Sequence, residues 1–137
     1  RLLEKRLLRE EEAKAVDTAA IAAFLASPLA ERIRNAESLL REYRFTLLVP
    51  AKEYDPAAAS EDEIMLQGVV DCCIEEDGEL TVIDFKTDRV SEAMLAERSE
   101  KYRPQLEAYS AALERIFEKK VREKILYFFA AKKAIKL

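Results

Sequence analysis

The sequence predicts an α/β (α+β) fold in which helices cover a sheet, and three observations carry that reading. Apolar residues keep a helical spacing up to about residue 35, and extended runs rich in aromatic and aliphatic side chains follow. Helical spacing returns after residue 90 and yields to a final extended run at residue 121. Between the two most strand-like runs lies Asp77-Gly78, and Asp-Gly is the strongest short-range hairpin signal. The resulting order is helices, three strands, a helix and a strand, which suits a sheet flanked by helices.

Each element has its own signals. Arg1 to about Val16 is charged, with Leu3, Leu7 and Leu8 on one helical stripe. Asp17 is placed to cap a second helix through Ile21, Phe24 and Leu25. Ser27-Pro28 ends it, and Pro28 suits the first turn of a short helix that stops near Asn35. Leu39 to Pro50 reads as a strand, and Lys52 to Glu63, with its proline, alanines and acids, as a surface loop. Ile64 to Ile74 and Glu79 to Lys86 are the strongest strands. Ser91 to about Glu100 is expected to be helical, followed by a longer helix from Pro104 to about Lys119 with the proline in its first turn. Val121 to Ala130 is the last strong strand, and the basic end over 130–137 either pairs onto it or frays. With 137 residues, no repeat and no linker, the chain makes one domain: a helical lead-in over 1–36 and a core over 37–137.

Composition narrows the chemistry. Half the residues are hydrophobic and 36% are charged, a globular balance that excludes disordered and fibrous readings. No apolar run approaches the ~20 residues a membrane helix needs. The chain has no histidine, which removes Ser–His and Cys–His catalysis, His general bases and His-ligated zinc from within it. Cys72 and Cys73 are adjacent, so on a strand they point to opposite faces and form no ordinary zinc or iron–sulfur pair by themselves. A reduced, cytosolic protein is the simpler reading. Chemistry is therefore expected from carboxylates, Lys, Tyr, Gln and backbone groups. Arg1 stands where an initiator Met would, so the chain is expected to be a piece of a longer one.

The hairpin brings two aspartates together. A two-residue turn at Asp77-Gly78 sets Glu76 opposite Glu79 and Asp71 opposite Asp84, while a four-residue loop shifts the register by two and makes the aspartates diagonal neighbours, still on one face. By parity Val70, Cys72, Ile74, Ile83 and Phe85 share an apolar face, while Asp71, Asp84 and Lys86 share the other. Opposed residues have Cβ atoms ~5 Å apart, where like charges repel. Two carboxylates so placed either raise one pKa or require a cation, and Mg²⁺ accepts one or two carboxylates while keeping several waters. A divalent ion with the Lys86 ammonium beside it suits phosphodiester hydrolysis. A solvated ion-pair cluster on the sheet face is the other reading, and spacing alone leaves both open.

Three segments then combine: Gly68-Val-Val-Asp71, Ile83-Asp84-Phe85-Lys86-Thr87-Asp88 and Tyr102-Arg-Pro-Gln105-Leu-Glu-Ala-Tyr109. In order and spacing they resemble the GxxD, DxK and QxxxY motifs of the RecB-type branch of the PD-(D/E)XK nuclease superfamily, nearest to the nuclease domains of AddA-type helicase–nucleases. The likeness runs from about Glu42 to Phe129 and implies a restriction-endonuclease-like core. By position it implies that Asp71 and Asp84 bind metal, with the Phe85 carbonyl as a backbone ligand, and that Lys86 is catalytic. Gln105 and Tyr109 match the motif of the following helix. They are four apart and share a face, and Gln105 is expected in a first turn whose free N–H groups favour phosphate. A core stripe with Tyr102, Leu106 and Leu113 is the other reading of Tyr109. Gly68 permits close backbone approach or marks a bulge. Glu42 is an accessory acid or an exposed partner of Arg41 or Arg44, and Asp88 an accessory acid or a turn cap.

The function this resemblance implies is a metal-dependent DNA nuclease, acting as an exonuclease with Mg²⁺, for which Mn²⁺ can substitute, and with no iron–sulfur cluster. The parent would be a cytoplasmic, bacterial, ATP-dependent helicase–nuclease of double-strand break repair and recombination. Its motor domains would deliver single-stranded ends, an AddB-like subunit would be its partner, and no membrane would be involved. A catalytically incomplete member of the same fold, holding DNA or a subunit, is the alternative. Members usually supply a metal-binding histidine from an upstream helix, and its absence here predicts that the isolated chain is weakly active or inactive. A net charge of −4 is also low for a free-standing DNA binder, although Arg89, Arg103, Lys132, Lys133 and Lys136 provide local basic groups.

Overall fold

The computed structural model describes residues 18–137. The helix expected over 1–16, and the capping residue Asp17, lie outside the described residues. Helix α1 (Thr18–Leu25) is almost wholly apolar and buries Ala20 and Phe24. Helix α2 (Pro28–Asn35) starts as its sequence dictates, with Pro28 in the first turn and the Ser27 hydroxyl accepting from the Ala30 amide at 3.2 Å. Glu31 sits in its first turn and Arg32 and Arg34 in its last, each complementing the helix dipole.

Strands β1 (Ser38–Pro50), β2 (Glu63–Glu76) and β3 (Glu79–Lys86) form an antiparallel meander. Helix α3 (Leu95–Phe117) then crosses to β4 (Val121–Phe128), which runs parallel to β3, and β5 (Lys133–Lys136) returns antiparallel. The basic end therefore pairs on. Strand order in the sheet follows chain order, β1 to β5. Asp77 (φ 53°) and Gly78 (φ 78°) are both left-handed, as the type I′ turn requires, and Glu76 faces Glu79. The register runs as expected as far as Cys72 opposite Ile83.

Two layers of helix close the sheet. On one face α1 and α2 pack through Phe24, Leu29 and Ile33 onto Cys72, Ile74, Ile83, Phe85, Ile125 and Tyr127. On the other, α3 packs through Ala112 and Leu113 onto Phe45, Val70, Cys73, Leu80 and Val82, and through Leu95 and Leu106 onto Leu126 and Phe128. The adjacent cysteines are free and buried, one on each face. No helix among the described residues is long and apolar enough to cross a membrane.

Two expectations need correction. Val70 does not share the face of Cys72; it joins the α3 side. The parity breaks because β1 and β2 pair at Arg41–Cys72 and at Tyr43–Val70 but not between, where Glu42 adopts φ 48° opposite Asp71. Both strands swap faces across that step. The two helices expected around Pro104 are also one: a 3-10 turn over Glu92–Met94 leads into α3, with Pro104 in its interior. An interior proline forfeits one backbone hydrogen bond, to the carbonyl of Glu100 four residues back, and costs about 3 kcal/mol. Here Glu100 and Pro104 are both exposed, on the solvent side of the helix, while a continuous helix buries Leu95, Ser99 and Leu106 together. Gln105 thus lies mid-helix, and its expected place among free first-turn N–H groups falls.

Candidate active site

The site begins where the sheet divides. The β2–β3 ladder ends at Cys72–Ile83, one position short of Asp71 and Asp84, and β2 continues with β1 alone. Asp71 bridges the gap with its side chain: its Oδ2 accepts from the Phe85 amide at 2.9 Å, taking the place of a ladder bond. The carboxylate is thereby fixed to the main chain between Asp84 and Lys86. A cavity of about 320 Å³ opens at this division. Its lining is Gly68, Val69, Asp71, Asp84, Phe85, Lys86, Gln105 and Tyr109, so residues from all three sequence motifs meet in one place. The Phe85 ring packs on the opposite face against Phe24 and Phe129, which leaves its main chain to meet the cavity.

Lys86 Nζ lies 2.7 Å from Asp84 Oδ2, and both side chains are largely covered, at 18% and 16% exposure. The same ammonium stands 3.9 Å from the ring centroid of Tyr102. The Tyr102 hydroxyl donates to Asp88 Oδ2 at 2.7 Å, and Arg98 Nη1 donates to that oxygen at 2.6 Å. Burial works against the Asp88 carboxylate, but the hydrogen bonds from Tyr102 and Arg98 outweigh it and hold its pKa below the usual value. Burial, with that carboxylate as neighbour, pushes the Tyr102 phenol up to about 12, so it stays a neutral donor near pH 7. Asp88 is thus a second layer behind Lys86 and does not line the cavity. Glu42 is exposed at the face-swapping step and does not line it either. Sequence reasoning gave no site role to Tyr102 or Arg98. The available signal was spacing: Arg98, Tyr102, Gln105 and Tyr109 recur at four, three and four residues, the stripe of one helix face.

Gln105 Nε2 donates to the Tyr109 hydroxyl at 3.2 Å, so the motif pair is joined on that face. Tyr109 is half-buried, edge-on to Phe45 with ring centroids 5.3 Å apart. It packs in the core with Leu113 and also lines the cavity, whereas Tyr102 and Leu106 of the expected stripe belong to a separate cluster. Gly68 is the reason the ring fits. A Cβ at this position would lie 2.6 Å from Tyr109 Cε1 and 2.8 Å from Phe45 Cε2. Close approach is therefore its role, and Gly68→Ala is expected to cost about 1–3 kcal/mol by overpacking. Urea melts of the two proteins check this, with the Tyr109 displacement read from NMR shifts of the ring.

The donor set can be tested against a cation. Asp71, Asp84 and the Phe85 main chain offer hard oxygens only, the type that Mg²⁺ takes while retaining several waters, and not the N/S set of zinc. Among the described residues no group of three or more acidic, Cys or His side chains gathers into a larger metal cluster. Two carboxylates and a carbonyl fit one hydrated divalent ion.

Comparison with known proteins agrees with this geometry. The family model described as the PD-(D/E)XK nuclease superfamily matches residues 1–136. Similar proteins include the AddA component of the ATP-dependent helicase/nuclease of Bacillus cytotoxicus, 39% identical over 94% of this chain and 11% of the relative. That of Ruminiclostridium cellulolyticum is 36% identical over 99% of this chain and 11% of the relative, and that of Moorella thermoacetica 40% over 93% and 9%. The chain thus spans about a tenth of the length of the relatives it matches. Motif residues gathered at the sheet division and a match along nearly the whole sequence lead to one assignment: the chain belongs to the PD-(D/E)XK nuclease superfamily, as a nuclease domain homologous to AddA helicase/nucleases.

Proposed function

We propose that the chain hydrolyses DNA phosphodiesters with Mg²⁺, which Mn²⁺ can replace, and that Asp71, Asp84, Lys86, Gln105 and Tyr109 do the work. The observation that supports this most is the convergence of two carboxylates and one ammonium on a single cavity at the sheet division. Asp71 and Asp84, with the Phe85 carbonyl, would hold the ion. When bound there it supplies positive charge to the phosphate and lowers the pKa of water. Asp71 would be oriented toward it in advance, because the Phe85 amide donates to its carboxylate. The Lys86 ammonium balances the negative charge that grows on the phosphate in the transition state and orients the attacking water. Tyr109 accepts from Gln105 and so keeps its own proton to donate, which suits a phosphate oxygen of the strand.

For the longer protein we propose the role its relatives' name suggests: an exonuclease domain of an ATP-dependent helicase–nuclease that processes broken DNA ends. Motor domains would feed it single strands in the bacterial cytoplasm, beside an AddB-like subunit. Delivery by motors also removes the need for a basic surface, which a net charge of −4 does not provide. Labelled single-stranded DNA incubated with and without Mg²⁺ or Mn²⁺, beside Asp84→Ala, tests the reading. Metal-dependent cleavage that the substitution abolishes is the expected result. DNA binding that survives Asp84→Ala, with no cleavage by either protein, would mean a catalytically incomplete binding module instead.

A further inference from the structure

We propose that Tyr102 is a positioning residue for Lys86: its ring is the seat of the ammonium, and Asp88 and Arg98 lock the ring in place. The inference rests on the catalytic reading of Lys86 given above. A lysine side chain is a flexible four-carbon stem ending in a strongly hydrated point charge, so an ammonium at a reaction centre must be restrained to act. Two restraints are visible. One is the ion pair to Asp84 at 2.7 Å, the other the Tyr102 ring face at 3.9 Å. They differ in what happens when the site is loaded. A cation held by Asp84 would compete with Lys86 for the same carboxylate, whereas among the described residues no other cation stands over the ring, so the ring is the restraint that would persist.

The ring itself is held at both ends. Its body packs into the cluster of Leu95, Leu106, Leu126 and Phe128 between α3 and β4. Its hydroxyl donates to Asp88 at 2.7 Å, and Arg98 keeps that carboxylate in place from one helical turn away on α3. Tyr102 therefore faces the site from the same helical stripe as Gln105 and Tyr109, and links the segment after β3 to the helix. The face of a phenol ring carries partial negative charge, which attracts an ammonium without neutralising it.

The test has two arms, on wild type, Tyr102→Leu, Tyr102→Phe and Lys86→Ala. In the first, metal-free proteins carry lysine labelled with ¹³C at Cε, and the Lys86 signal is identified by its loss in Lys86→Ala. An upfield ring-current shift is expected in wild type and Tyr102→Phe, and its loss in Tyr102→Leu. An unmoved Lys86 signal in Tyr102→Leu would overturn the proposal. In the second arm, Tyr102→Leu is expected to lower kcat for a single-stranded oligonucleotide about ten-fold with KM unchanged. Tyr102→Phe should stay within about three-fold of wild type, since it keeps the ring face. In the Lys86→Ala background Tyr102→Leu should add nothing, because the group it positions is gone. A full further ten-fold loss there would show a purely structural residue and sink the idea. Absence of cleavage in wild type would defeat the nuclease reading, while the labelled-lysine arm would still decide whether Tyr102 seats Lys86.

Discussion

Lys86→Ala is expected to lower single-strand cleavage by about 10²–10³-fold, the loss typical when one preorganised charge stabiliser is removed from a transition state. The ammonium is largely covered, at 18% exposure, so water does not replace it well. Metal affinity should be unchanged or slightly raised, because the substitution frees Asp84 Oδ2 from its 2.7 Å ion pair. Thermal shifts across a Mg²⁺ or Mn²⁺ titration measure that affinity, since a ligand of the native state raises stability by mass action. Turnover lost with metal binding kept separates the lysine's role from that of the carboxylates. Equal loss of both would show that Lys86 shapes the acidic pair and has no separate part in the chemistry.

The second large effect is on stability. Phe24→Ala is expected to cost about 3–5 kcal/mol, the range for deleting a buried aromatic ring. Phe24 is 2% exposed and makes three edge-to-face contacts: with Phe85 at 5.2 Å, Tyr127 at 4.9 Å and Phe129 at 5.6 Å. It is the one aromatic residue of α1, so its loss leaves Phe85, Tyr127 and Phe129 without their partner from the helix. Against a typical total of 5–15 kcal/mol this is a large fraction. Urea unfolding, with the slope compared between variants, measures it. A loss under about 1 kcal/mol would mean that α1 is only loosely docked. Because Phe85 stands between Asp84 and Lys86 on β3, the same cavity should loosen the site from behind.

Much of this arrangement was legible in the sequence, for identifiable reasons. Asp77-Gly78 specifies a two-residue turn, and the turn sets the register as far as Cys72 opposite Ile83; the expected Asp71–Asp84 pair does not form, because the ladder ends there and the Asp71 carboxylate takes the Phe85 amide. Period-2 patterning along β3 assigned Asp84 and Lys86 to one face. Patterning failed where its assumption of an unbroken strand failed, at Glu42 and Asp71, and so misplaced Val70. Local propensity around Pro104 favours a helix start, yet tertiary burial of Leu95 and Leu106 outweighs one lost hydrogen bond. The second layer formed by Tyr102, Asp88 and Arg98 was not legible as chemistry. It depends on how α3 docks against the segment after β3, and no local pattern encodes that distance.

The crossover by α3 has a consequence for how the site comes into being. The β2–β3 hairpin closes over a two-residue turn, a local event on the microsecond scale, and it suffices to set the two aspartates and the lysine near one another. Tyr102, Gln105 and Tyr109 arrive only when the 23-residue helix docks and β4 completes its parallel pairing, a non-local and slower step. A partial opening that lifts the helix would accordingly carry those three side chains away while the hairpin keeps the two aspartates and the lysine, and amide hydrogen exchange compared between α3 and β2–β3 measures whether the helix opens first.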